Sequence, residues 1–341
     1  MPVENQKPSS RYSLALWFTA KLTLLCFLLG SMISPELNAK QNFVSYRFSG
    51  GRFGDNLMAY LHAKWLSYKY QLPLLYKPFA YSSELLIDER EIHYSRIDRH
   101  RCKKVRLEEI DESTITSFSR KEAKIYVAPY FPECRWEREH FLGPGSKPWK
   151  CFDVDWDDPL FRKSIRPLIA PNHFLQLLIP PKETINIAIH LRNGGTYDKE
   201  DTLWKLITKF PPLDFYVKGL LSIIELLPKK PFYCYLFTDA EDPYALISQI
   251  QSFMPQDVSI TFDCRLSDNS HNQNVLEDFF SLFQFDILIH PQSNFSLIPA
   301  LIHDYAITYA PLSGFRKEGI AEIDKIKFTI NEPLLEELRH K

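Results

Sequence analysis

A chain of 341 residues with 45% hydrophobic and 24% charged side chains is long enough for two ordinary domains and too apolar to be disordered. Its 41 basic and 42 acidic residues leave a net charge of −1, without the basic excess that nucleic-acid binding calls for, so that class is set aside. Eleven glycines against 24 prolines predict rigid connections rather than flexible linkers, and the 14% of aromatic residues suits either a sugar groove or a large plain core.

Lys7 and Arg11 precede Leu14–Ile33, an apolar stretch broken only by Lys21 among charged residues. Leu22–Leu29 has the length of a signal-peptide core, with Leu37-Asn38-Ala39 as a weak cleavage site. The whole stretch is also just long enough to span a bilayer as a signal anchor. Both readings predict an N-terminal apolar helix within residues 1–40 and place the rest of the chain at a membrane. That membrane is the Golgi or endoplasmic reticulum in a eukaryote and the inner membrane in a bacterium. The six cysteines (Cys26, Cys102, Cys134, Cys151, Cys234, Cys264) form no CxxC pair and no Cys/His metal spacing. A disulfide from Cys134 or Cys102 to Cys151 stays open for an oxidising compartment.

Residues 43–48 read as a strand and Ser49–Asn56 as a glycine-rich turn, with Gly50, Gly51 and Gly54. Leu57, Leu61, Trp65 and Tyr68 then recur at helical spacing. A strand, a glycine turn and a helix start can bind an anion through free backbone N–H groups, or can simply allow close packing. A strand is expected over Leu72–Tyr76. Residues 80–120 are charged and poorly periodic, which fits solvated surface or an acceptor-binding face. Lys124–Ala128 is a further expected strand. An aromatic, proline-rich region then runs through Trp136, His140, Trp149 and Trp156. Residues 159–181 read as a helix and linker, with a domain boundary near 182, giving domains of 41–181 and 182–341.

The second half alternates regularly. Ile185, Ile187, Ile189 and Leu191 alternate with Asn186, Ala188, His190 and Arg192, and Gly194-Gly195 ends the strand. A helix near 213–227, a strand at 232–237 ending in Thr238-Asp239, and a helix over 243–253 follow. Then come a strand at 258–262, a helix at 274–283, a strand at 286–290, a helix over 295–303 and a last strand at 305–309. Such alternation predicts a parallel, doubly wound α/β sheet.

Strand ends of such a sheet carry its ligand. His190 and Arg192, Thr238 and Asp239, and Ser293, Asn294 and Ser296 fall on one edge. Ser293 stands at an N-cap position, where a helix start with hydroxyl and amide side chains accepts phosphate. Arg192 supplies the counter-charge. Asp278 can accept the N1–H and exocyclic amine of a guanine. Together they describe a nucleotide-diphosphate site. Asp55 is either a general base on an acceptor hydroxyl or a helix N-cap; Asp198, Glu200 and Asp201 are further base candidates.

Here the chain resembles the GDP-fucose-dependent fucosyltransferases, a superfamily that includes the α-1,2-, α-1,6- and protein O-fucosyltransferases. Gly51-Arg52-Phe53-Gly54-Asp55-Asn56 is similar to their glycine-rich loop, and His190-Leu191-Arg192-Asn193-Gly194 to their H-x-R peptide. Phe237-Thr238-Asp239-Ala240 and the segment from Glu277-Asp278 to Ser293-Asn294-Phe295-Ser296 resemble their later motifs. The resemblance implies a GT-B-like fold, with two Rossmann-like doubly wound domains facing a cleft. It implies GDP-fucose as donor substrate, transfer with inversion to a glycan or protein acceptor, and no metal or other cofactor. Arg192 would then stabilise the departing phosphate, with Asp55 as the candidate base. Gly51, Gly54, Asn56, His190, Thr238, Asp239, Asp278, Ser293, Asn294 and Ser296 would contact the donor. The chain departs from the pattern where Asn193 and Gly195 replace a second Arg and an acid, and where Asp55-Asn56 replaces Asn-Gln. Those departures keep open a transferase for another nucleotide sugar, or a non-catalytic glycan-binding relative.

Overall fold

The computed structural model describes residues 41–48, 50–96, 102–107, 115, 123–128, 154–193, 207–267, 269–317 and 320–341. The expected N-terminal helix, the aromatic region before Trp156, and Gly194, Gly195, Asp198, Glu200 and Asp201 lie outside them, as do Cys134 and Cys151. Among the described residues, no helix is long and apolar enough to cross a membrane.

The N-terminal sheet is parallel, with β1 (Phe43–Tyr46) beside β5 (Ala123–Ala128) and β4 (Cys102–Arg106) on the far edge. A parallel bridge from Val44 to Leu74 joins β1 to the short pair β2 (Leu75–Tyr76) and β3 (Ile92–His93). β4 falls in the charged region read as surface; its exposed Lys103, Lys104 and Arg106 are those of a solvated edge strand. Helix α1 (Phe53–Tyr70) follows β1, and the short α2 (Leu86–Arg90) precedes β3. α1 is buried on nearly every side, because apolar residues such as Leu57, Met58, Leu61, Trp65 and Leu66 ring it. One side packs on the N-terminal strands and α3 (Pro159–Ile165), through Trp65 on Phe161. Val275, Leu276, Phe279, Ile298 and Ile302, from the second half of the chain, complete the same core.

The second sheet has six strands among the described residues. β6 (Ile185–Leu191), β7 (Phe232–Thr238), β8 (Ile260–Cys264) and β9 (Ile287–Ile289) are parallel. β10 (Ile307–Lys317) starts parallel to β9, then runs on as an antiparallel hairpin with β11 (Ile320–Ile330). The expected strand at 305–309 is thus only the root of a longer ribbon. Between strands lie α4 (Leu213–Leu226), α5 (Pro243–Gln251), α6 (Val275–Ser281) and α7 (Asn294–Ile302), and α8 (Glu332–His340) ends the chain. Ile185, Ile187 and Ile189 face a core with α4, α5 and α8, while Ala188 packs with Tyr235, Phe237 and Leu288 on the opposite face. Both faces of β6 are therefore covered, as in a doubly wound sheet.

Candidate active site

The strands run β6-β7-β8 in one direction, and the chain then crosses back to place β9 on the other side of β6. Between β6 and β9 the winding reverses, and the crevice beyond their carboxyl ends is where open α/β sheets hold ligands. β6 ends on His190-Leu191 and runs on into Arg192-Asn193, and β9 runs on into His290–Ser293.

The two strand ends are tied together. His190 Nδ1 lies 2.7 Å from Ser296 Oγ, in the first turn of α7, and the His190 ring sits 5.4 Å from the Phe295 ring. Burial first, then the Arg192 cation, lowers the His190 pKa to about 3, so the imidazole is neutral at physiological pH. Ser296 is fully buried and its hydroxyl also faces the Ser293 carbonyl at 3.4 Å. It is a strut for His190 rather than an open phosphate ligand. Ser293 does occupy the N-cap of α7, although its side chain makes no capping hydrogen bond. Two α7 amides turn back on its carbonyl, Ser296 N at 3.0 Å and Leu297 N at 2.8 Å.

Arg192 keeps partial exposure, and its guanidinium lies over the Phe210 ring at 5.2 Å. The next residue is fixed by Asp239, whose Oδ1 accepts the Asn193 N–H at 2.6 Å. The carboxylate at the end of β7 thus shapes the turn carrying Arg192. Thr238 serves its own turn, its Oγ1 accepting from Ala240 N at 3.2 Å.

The amino end of α1 arrives from the other sheet. Gly50 has a φ of +87°, which favours glycine and turns the chain out of β1. A Cβ on Gly54 would lie 2.6 Å from Phe295 N and 2.9 Å from Asn294 C, so only glycine lets α1 abut α7 backbone to backbone. The close-packing reading of the glycine turn therefore holds, but across the two halves of the chain. Asp55 is the third residue of α1, with Arg52 at the N-cap, so it is not itself the cap. One carboxylate oxygen accepts from Arg52 N at 3.3 Å and the other from Asn294 Nδ2 at 2.8 Å. A Cβ on Gly51 would fall on that carboxylate. Asn56 Nδ2 donates to the Gly51 carbonyl at 3.1 Å, while its buried Oδ1 has no partner among the described residues.

Asp278, in the first turn of α6, carries a partner that sequence reasoning missed: its Oδ1 pairs with Arg265 Nη2. The signal was an arginine one step beyond a strand of the same sheet. Burial holds the Asp278 pKa above the usual carboxylate value, against the pull of Arg265. Among the described residues, no cluster of three or more His, Cys, Asp and Glu is placed to hold a metal ion.

The geometry brings Arg192, His190, Asn294, Ser293, Gly54 and Asp55 to one crevice, with the amino ends of two helices in contact. Such ends present partial positive charge, offset in part by the Asp55 carboxylate between them, which with Arg192 favours an anion of diphosphate type.

No protein-family model matches the sequence, and no curated protein is similar to it in sequence. Solved structures align with much of its length. Arabidopsis thaliana FUT1, as a mutant in complex with GDP, has a TM-score of 0.46 and 12% identity, covering 89% of this chain and 79% of that one. POFUT1 in complex with GDP-fucose has a TM-score of 0.38 and 11% identity, over 80% and 96%. The fucosyltransferase NodZ from Bradyrhizobium has a TM-score of 0.40 and 14% identity, over 86% and 99%.

Proposed function

We propose that the chain is a glycosyltransferase that moves fucose from GDP-fucose to a hydroxyl of a glycan or protein acceptor, with inversion and without a metal ion. The observation that supports this most is the meeting of α1 and α7 at the β6/β9 crevice beside Arg192. One guanidinium and two helix ends supply, from the protein alone, the positive field that a departing nucleoside diphosphate needs. In this reading Arg192 neutralises charge growing on the β-phosphate as the bond from the sugar's anomeric carbon to oxygen breaks. The amino end of α7 and the Asn294 side chain border the phosphates. Neutral His190, braced by Ser296, faces the nucleoside without adding charge.

Asp55 is better described as a positioning residue than as the base, because both of its oxygens are held by Arg52 N and Asn294. As a base it would first have to release one of them. The apolar sequence of residues 14–33 supports placing the enzyme at a membrane.

The test is a donor-turnover assay with GDP-fucose and a panel of glycan and peptide acceptors, scoring transfer and slow donor hydrolysis. Wild type should release GDP, while Arg192→Ala should keep the wild-type circular dichroism and lose at least about 100-fold in turnover. Turnover at wild-type rate in Arg192→Ala would overturn the mechanism. Release of a different nucleotide from another sugar donor would move the reading to that donor class.

A further inference from the structure

Arg265 directly follows β8, and its guanidinium pairs with Asp278 at the start of α6. The strand register shows where this pair lies relative to the crevice. His190 on β6 stands opposite Phe237 on β7, and Leu236 stands opposite Cys264 on β8. Arg265 is the next residue after Cys264, and continuing the same register by one step sets it against Phe237. Registered residues of parallel strands share a face, so His190, Phe237 and Arg265 form a row along the carboxyl edge. That face is the one on which Ala188, Tyr235 and Phe237 pack. Two strand spacings, roughly 10 Å, separate the ends of the row. This suits a nucleoside lying across the edge with its phosphates at the β6/β9 crevice.

The pair is not sealed. The Arg265 and Asp278 side chains keep 33% and 25% of their surface exposed, so a ligand can reach both. Asn269 Nδ2 donates to the Arg265 carbonyl at 2.8 Å. A guanidinium beside a carboxylate offers donors next to acceptors. Guanine's pairing edge is the complement: carbonyl O6, then N1–H, then the exocyclic amine. Adenine puts an amine where O6 would be and has no N1–H. Uracil ends its edge in a second carbonyl, which would face a carboxylate oxygen.

We infer that Arg265 is a base-specificity residue, its guanidinium donating to O6 of a guanine whose N1–H and amine donate to Asp278. This rests on the reading of the crevice as a guanosine-diphosphate donor site. With no base bound, the Arg265–Asp278 pair keeps both charges partnered. An arriving guanine exchanges part of that contact for its own.

The test is calorimetric binding of GDP, IDP (inosine lacks the exocyclic amine) and ADP to the full-length chain, as wild type, Arg265→Met and Arg265→Lys. Wild type should bind in the order GDP, IDP, ADP. Arg265→Met should weaken GDP and IDP by the same factor, about 10- to 100-fold for a charge-assisted hydrogen bond, and leave ADP unchanged. The GDP:IDP ratio is then preserved, because the amine contact belongs to Asp278. Arg265→Lys should show an intermediate loss at the same ratio, and carries the test if Arg265→Met does not fold. An arginine that only held Asp278 in place would instead bring the GDP:IDP ratio to one. That result, or an unchanged GDP:ADP preference in Arg265→Met, overturns the inference while leaving the donor reading standing. A wild type that binds no GDP overturns the donor reading, and the inference with it.

Discussion

Gly54→Ala probes the contact on which the site is built. The added Cβ would lie 2.6 Å from Phe295 N, 2.9 Å from Asn294 C and 2.9 Å from Phe295 Cα, all backbone atoms that cannot rotate away. Reaching an ordinary separation of about 3.4 Å requires α1 and α7 to part by roughly 0.8 Å. The hydrogen bond from Asn294 Nδ2 to Asp55, now 2.8 Å, would stretch beyond useful range. Overpacking of this kind costs about 1–3 kcal/mol, and the lost charge-assisted bond adds roughly 1 kcal/mol. Alanine's better helix propensity returns less than about 1 kcal/mol, since Gly54 is the second residue of α1. The net expectation is a loss of about 2 kcal/mol in urea denaturation, with donor affinity falling together with stability as the two helix ends separate. A Gly54→Ala chain as stable as wild type, with unchanged nucleotide affinity, would refute the contact between the helices. A double-mutant cycle on Asp55→Ala and Asn294→Ala should show coupling of about 0.5 kcal/mol or more, and additivity would point the same way.

Ser296→Ala removes the partner of a buried imidazole and should cost about 1–3 kcal/mol in chemical denaturation, with a matching loss of donor affinity. Asp239→Ala frees the Asn193 N–H and the turn carrying Arg192; turnover should drop about tenfold or more while the melting temperature moves little, because the bond lies near the surface. The pH dependence follows from three histidines held neutral by burial, His190 at about 3 and His290 and His303 at about 4. In the unfolded chain each takes up a proton near pH 6.5, so the unfolded state binds more protons below that pH and stability falls as pH drops from about 6.5 towards 4. Each histidine contributes up to about 1.4 kcal/mol per pH unit across that window. His190→Gln should flatten the measured slope by one such share; an unchanged slope would mean that His190 already titrates normally in the folded protein.

The strands and helices of the second half were legible because parallel sheets covered on both faces write long apolar runs. Ile185–Leu191 has the observed bounds of β6, and 213–227 matches α4 to one residue. The β10–β11 hairpin was not, because its outer positions carry exposed Leu312, Phe315, Ile326 and Phe328 among charges, without the clean alternation of a half-buried strand. β4 was hidden for a related reason, as a lysine-rich edge reads as surface. Within the site, residue types pointed to the crevice but not to their partners. Sequence spacing places Ser296 near a phosphate; only the fold shows its hydroxyl turned to His190. The same holds for Asp278, whose partner Arg265 is 13 positions away on another element. Gly54 looked like part of an anion loop, yet what it admits is the backbone of Asn294 and Phe295, some 240 residues later in the chain.

The central claim is that the β6/β9 crevice holds a guanosine diphosphate against Arg192. A thermal-shift titration of the full-length chain with GDP, ADP, UDP and dTDP tests it most directly, since a ligand that binds the folded state stabilises it by mass action, about 2.7 kcal/mol at 100 times its Kd. The expected result is a concentration-dependent rise in melting temperature with GDP, little with the other three, and its loss in Arg192→Ala. A melting temperature that stays fixed up to millimolar GDP, or an equal rise in Arg192→Ala, would contradict the account.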